Sequence, residues 1–208
     1  MTINFEHHLG AVQRSVASLE VDGKASHAVT LSRGFATNVE DLWDVITVPE
    51  RLSRWFAPLS GELHLGGRFQ LEGNAGGEIT ACEAPKHLVV TWEIGGETSW
   101  VEVRLANEGQ EHARLTLTHT ALHSSHWDTY GSGATGVGWE LGLLALDLYL
   151  GDLANPLDEA TLTTTPDAKA FMRASSERWG DASAAAGVDK DVALSAVKAT
   201  TAFYTGEP

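Results

Sequence analysis

The sequence predicts an α+β fold in which one curved antiparallel sheet wraps a long helix. Three observations lead there. From Leu59 to Ala121, apolar and polar residues alternate over short segments parted by glycine-rich or polar turns. That is the pattern of an antiparallel meander with one buried face and one wet face. A nearly continuous apolar segment, "VGWELGLLALDLYL", follows at Val137–Leu150. A sheet with one apolar side needs a covering layer, and this segment is the strongest candidate for it. Two short helical patterns separate the first strands from the meander.

Taken in order, "VQRSVASLEVDGKASHAVTLSRGF" reads as two strands around Asp22-Gly23, a type I′ hairpin signal. Val29, Leu31 and Arg33 share one face of the second strand. Asn38 is placed to cap a helix with Asp41 in its first turn. Val39, Leu42, Trp43 and Ile46 then recur at helical spacing. Pro49 ends or kinks that helix and opens another turn, "PERLSRWFAP", which Pro58 closes.

The meander begins with "GELHLGGRFQLEG", two short strands joined through Gly66-Gly67, and continues with "GGEITACEAP". In "KHLVVTWEI", Leu88, Val90 and Trp92 share a face; in "TSWVEVRLA", Val101, Val103 and Leu105 do. "ARLTLTHTAL" sets Ala113, Leu115, Leu117 and His119 on one side. A flexible glycine-rich lead-in is expected next, then a helix over roughly 136–153. On a helical wheel Trp139, Leu143, Leu146, Leu150 and Leu153 form one stripe, while Leu141, Leu144 and Leu148 lie behind it. A helix apolar on both sides is covered on both sides. Two C-terminal helices, Asp167–Trp179 and Asp189–Tyr204, supply the second cover, with Gly180 and Gly187 marking the break between them. "ANPLDEATLTTTP" reads as a loop with room for a short helix.

Composition narrows the function classes. The chain has 208 residues and a formal net charge of −14, which opposes nucleic-acid partners and anionic membrane surfaces. The apolar segment is too short for a spanning helix, which needs about 20 residues, and it carries Glu140 and Asp147. Membrane insertion is therefore not expected. One cysteine, Cys82, excludes an intrachain disulfide and fits a reducing compartment. "MTINFEHHLGAVQRS" shows no apolar signal region, so a cytoplasmic location is expected.

Few residues suggest chemistry. His119 interrupts the apolar face of the last strand, and a buried polar group needs a partner. It is either a satisfied core histidine or a group that orients a ligand. Arg33 either reaches the cavity or pairs with a carboxylate. His119, His123 and His126 have the spacing H-x3-H-x2-H, but the stretch leaves a strand for a loop and is not built for four converging ligands, so no metal is expected. "GSGATGVG" lacks the Lys-Ser/Thr of a phosphate loop. Cys82 has no base beside it and reads as structural. No cofactor is expected.

The stretches "VEDLWDVITVPERLSRWFAP", "HLGGRFQLEGNAGGEITACEAPKHLVVTWE" and "ARLTLTHTAL", followed by Gly138-Trp139 opening the long helix, resemble the START-like (SRPBCC) superfamily. Within it they are most similar to the family of activators of the heat-shock-protein-90 ATPase. The resemblance spans about Leu31 to Leu150 and implies a helix-grip fold. It divides the chain into a helix-grip domain over 1–155, with an N-terminal hairpin strand, and a C-terminal helical extension over 156–208 packed on the long helix.

The resemblance further implies a cavity between sheet and helix that admits a hydrophobic small molecule or lipid. Phe69, Leu71, Trp92, Val103, Leu117 and His119 would face it. Trp139 and Leu143 would roof it, and Trp55 and Phe56 would stand at its entrance. The same alternation also serves plain core packing. The expected function is non-catalytic ligand binding. The alternatives are a co-chaperone that regulates a heat-shock ATPase and a cavity enzyme of cyclase or hydrolase type. Phe171, Trp179, Phe203 and Tyr204 either dock on the long helix or form a homodimer contact.

Overall fold

The alternating segments become eight strands in the computed structural model, which describes residues 3–151 and 162–207. The strands are β1 (Gln13–Val21), β2 (Lys24–Phe35), β3 (Leu59–Gly61), β4 (Arg68–Leu71), β5 (Gly76–Glu83), β6 (His87–Ile94), β7 (Glu97–Gly109) and β8 (His112–Leu122). They form one sheet in the order β1-β2-β8-β7-β6-β5-β4-β3. Every ladder from β3 to β8 is antiparallel. The β1–β2 turn uses Asp22 and Gly23 at φ 51° and 73°, the left-handed pair that a type I′ turn requires.

The helices are α1 (Phe5–Ala11), α2 (Val39–Thr47), α3 (Pro49–Leu52), α4 (Ser125–Tyr130), α5 (Gly133–Gly151), α6 (Pro166–Ala185) and α7 (Lys190–Thr205). Asn38 caps α2 as expected, its side chain accepting from the Asp41 N–H at 2.8 Å. Pro49 stands in the first turn of α3. The expected loop "ANPLDEATLTTTP", and Leu153 of the wheel stripe, fall wholly or largely outside the described residues.

Two expectations need correction. The glycines before the long helix are not a flexible lead-in: α5 already begins at Gly133, and a short helix, α4, precedes it. Gly180 does not end a helix but lies inside α6. Cys82, on β5, is exposed.

The chain forms two compact units. The first comprises Met1–Leu31, Leu122–Leu144 and Asp158–Pro208; the second comprises Ser32–Ala121 and Ala145–Leu157. Strand β2 and helix α5 each run from one unit into the other.

In the first unit α6 and α7 pack on the opening turns of α5 through its small residues. A methyl on Gly136 would stand 2.2 Å from the Trp179 ring, and one on Gly133 would stand 2.5 Å from Thr200 Oγ1. Trp179 is fully buried. Ser132 Oγ donates to the Trp179 carbonyl at 3.2 Å, and the Tyr204 hydroxyl donates to the Ala134 carbonyl at 2.6 Å. Within α6, a methyl on Gly180 would meet Val197 of α7 at 2.3 Å. A void of about 10 Å³ lined by Ser132, Ser176 and Ser183 lies here, room for a single water. Arg14 of β1 grips Glu140 of α5 with two hydrogen bonds, 2.6 and 2.8 Å, and spends further donors on the Val12 and Leu9 carbonyls. The Glu140 side chain has no exposure.

In the second unit, α2 and α3 accompany the strands from β3 to β8. Leu42, Val45 and Leu52 are buried there, as are Leu71, Val90, Val101, Leu115 and Leu117. The end of α5 belongs here too, with Leu146 fully buried and Asp147 paired to Arg33 at 2.7 Å. Among the described residues no helix is long and apolar enough to cross a membrane.

Candidate ligand site

Register decides which side chains share a face. Across β6 and β7, Leu88 stands opposite Val103, Val90 opposite Val101, and Trp92 opposite Ser99. Across β7 and β8, Val103 stands opposite Leu117 and Val101 opposite His119. Residues opposite one another point the same way, so Trp92, Ser99, Val103, Leu117 and His119 occupy one face of three adjacent strands. Phe69 and Leu71 alternate as the two buried residues of β4. Phe69 reaches Trp92, ring centroids 6.4 Å apart, and Trp92 meets His119 edge-on at 6.3 Å. Both separations fall in the range of favourable aromatic pairs.

Burial on this face is uneven. Phe69, Leu71 and Leu117 are buried, whereas Trp92, Val103 and His119 are only half-buried. Trp55 and Phe56, just beyond α3, are half-buried as well and pack ring to ring at 5.4 Å. The Trp55 indole N–H donates to the Val45 carbonyl at 3.1 Å, which ties this pair to α2. Trp139 and Leu143 lie on α5 in the first unit, half-buried and buried respectively.

His119 has a specific partner. Its Nε2 lies 2.8 Å from Ser99 Oγ, and Ser99 Oγ donates to the Trp92 carbonyl at 3.1 Å. The serine proton is thus spent on Trp92, and His119 must donate from Nε2–H. Burial pushes the His119 pKa down to about 4, so the ring is neutral near pH 7. This polarity is the reverse of a nucleophilic pair, in which the histidine accepts the serine proton. The arrangement can present a neutral polar edge to an apolar ligand. It is not set up to activate Ser99.

Ser99 was missing from the sequence reading, although it shares parity with Val101 and Val103 and so had to face inward. For Arg33 the sequence leaves two uses open, reaching the cavity or pairing with a carboxylate, and the second is the one observed. Arg33 pairs with Asp147 and sets its guanidinium 5.3 Å from the centre of the Phe35 ring. The two acids on the polar edge of the long helix thus have the same use: each is held by a strand arginine, Glu140 by Arg14 and Asp147 by Arg33. Arg54 stands over the Tyr149 ring at 5.6 Å. Among the described residues no group of three or more His, Cys, Asp and Glu side chains is arranged to hold a metal ion.

Comparison with known proteins places this geometry. The solution structure of CalU16 from Micromonospora echinospora is 28% identical, with TM-score 0.72 over 85% of this chain and 97% of that one. Its crystal structure gives TM-score 0.68 at 27% identity, over 83% and 98%. An HSP90 activator from Plasmodium falciparum shares the fold at 24% identity, with TM-score 0.53 over 60% of this chain and 96% of that one. No curated protein matches the chain in sequence. Residues 36–151, from the end of β2 to the end of α5, match the model of the family described as activator of Hsp90 ATPase homolog 1-like protein. The chain, with its helix-grip architecture, belongs to that family.

Proposed function

We propose that this chain is a non-catalytic, START-like binding protein that takes a small or medium hydrophobic molecule onto the apolar face of β4, β6, β7 and β8. The observation that carries this reading is the uneven burial of that face. Trp92 and Val103 stay half-covered beside buried Leu71 and Leu117, which leaves apolar surface on this face for a ligand to cover. A ligand covering them gains about 25 cal/mol per Å² of apolar area before ordering costs. The uncharged state of His119 suits a neutral ligand better than an anion. Native mass spectrometry of protein purified without detergent tests the reading. The expected result is a mass increment that organic extraction removes and that Trp92→Glu reduces. A bare polypeptide mass with nothing recovered in the extract counts against it.

A second reading, regulation of a heat-shock ATPase, is favoured by the family match over 36–151. It requires direct binding to the chaperone and a change in ATP turnover. A binding assay with purified chaperone that shows neither removes it.

A further inference from the structure

In the first unit, four polar side chains stand in a row. Ser18 Oγ lies 3.5 Å from His27 Nδ1, and His27 Nε2 lies 2.8 Å from His123 Nδ1. His123 Nε2 lies 3.1 Å from Asp128 Oδ1. The His27 ring stacks on the Trp127 indole, with centroids 3.9 Å apart and planes within 4° of parallel. The row joins β1 through Ser18, β2 through His27, and α4 through Trp127 and Asp128. His123 sits just beyond β8, and its backbone N–H donates to the Ala25 carbonyl at 2.9 Å. Ser124 then caps α4.

The gap between the two rings holds one proton. With both rings neutral, the bonds run one way: Ser18 O–H to His27 Nδ1, His27 Nε2–H to His123 Nδ1, and His123 Nε2–H to Asp128. One added proton is accommodated. His123 then donates from both nitrogens, and His27 turns its N–H toward Ser18. A second proton sets N–H against N–H at a spacing that suits a hydrogen bond, and the contact must open.

We propose that the His27–His123 pair is an acid-sensitive latch, which fixes α4 to β2 and lets go when both rings carry a proton. The groups facing the pair are Ser18 from β1, Trp127 and Asp128 from α4, and each ring from the other. The far side of α4 is held by contacts that carry no charge. Thr200 Oγ1 of α7 donates to the Tyr130 carbonyl at 3.2 Å, and Phe203 packs on the Tyr130 ring at 5.4 Å. Within α4 itself the titratable His126 ring packs on Tyr130 at 4.7 Å. Release therefore loosens the β2 side of α4 and the turn through Gly131 into α5, and leaves the α7 side in place. Burial and then the neighbouring His123 lower the His27 pKa, while Asp128 opposes them. A lowered pKa in the closed state means that opening takes up protons. The latch is thus closed above about pH 6.5, the ordinary histidine value, and is lost as pH falls below it.

The test is a ring-nitrogen NMR titration of the full-length protein in a chelator, run from neutral to acid, together with hydrogen exchange at the amides of Ser125–Tyr130. The expected result is two coupled histidine steps, with α4 protection, corrected for intrinsic exchange, falling about two- to fivefold at the second step, the range an exposed contact can supply. In His27→Phe, which keeps a ring on Trp127 but cannot take a proton, the acid-dependent loss of protection disappears. His123→Gln is the second variant, and it loses the step too. Three results overturn the latch: two independent titrations with constant α4 protection, an acid step that persists in both variants, or loss of the His27–His123 contact on chelation alone. The last outcome assigns the bridge to a metal rather than to a proton.

Discussion

Burying an imidazole beside a tryptophan costs proton affinity, and His119 carries that cost. Its folded pKa is about 4, against an ordinary value near 6.5. Because the folded value is the lower one, the unfolded chain takes up the proton first. The stability tied to the neutral ring is fully present above about pH 6.5 and is lost as pH falls toward 4, on the order of 2–3 kcal/mol over that range. Replacing His119 with Phe should flatten the denaturant-midpoint profile between those pH values; an unchanged profile assigns the acid sensitivity elsewhere. Arg14 offers a sharper contrast. Arg14→Met strands a carboxylate with no solvent exposure and should cost about 3–5 kcal/mol, whereas Arg14→Met with Glu140→Leu should recover most of it. Chemical denaturation of the two variants measures both. His119 was legible in the sequence because it broke an apolar alternation. The Arg14–Glu140 pair was not, because its members stand 126 positions apart and no local pattern links them.

At the scale of elements, the strands were the easiest to read. Alternation with a period of two records burial directly, and the observed ladders keep Val103, Leu117 and Trp92 on the face that alternation gave them. The helices around α5 were harder. Local propensity treats Gly133 as a loop former. It is helical here, and glycine stands at 133 and 136 because Thr200 and Trp179 approach so closely that no side chain fits. Gly180 misled in the same way: it sits inside α6, where Val197 leaves no space for a methyl group. The signal was the spacing of small residues along one helix face, which only a tertiary partner makes intelligible. Gly136→Ala improves helix propensity and yet should destabilise the protein by about 1–3 kcal/mol through overpacking against Trp179. Thermal unfolding reads the sign: a raised Tm shows that the ring can move aside, and refutes close packing as the reason for the glycine.

For the whole molecule, the order of the elements made the architecture legible, and one family model covers 36–151 of it. Function was less legible, because this fold can spend its inner face either on core packing or on a ligand, and the two use the same residues. What separates them is space beside Trp92, His119 and Val103, all half-buried. Xenon measures that space without requiring the ligand's identity, since it enters dry apolar cavities. Titration with xenon, followed by methyl NMR, should give saturable shifts at Leu71, Val103 and Leu117 and at the Trp92 ring. Shifts that are small, linear and spread over the protein would contradict the binding account and leave this face a packed core.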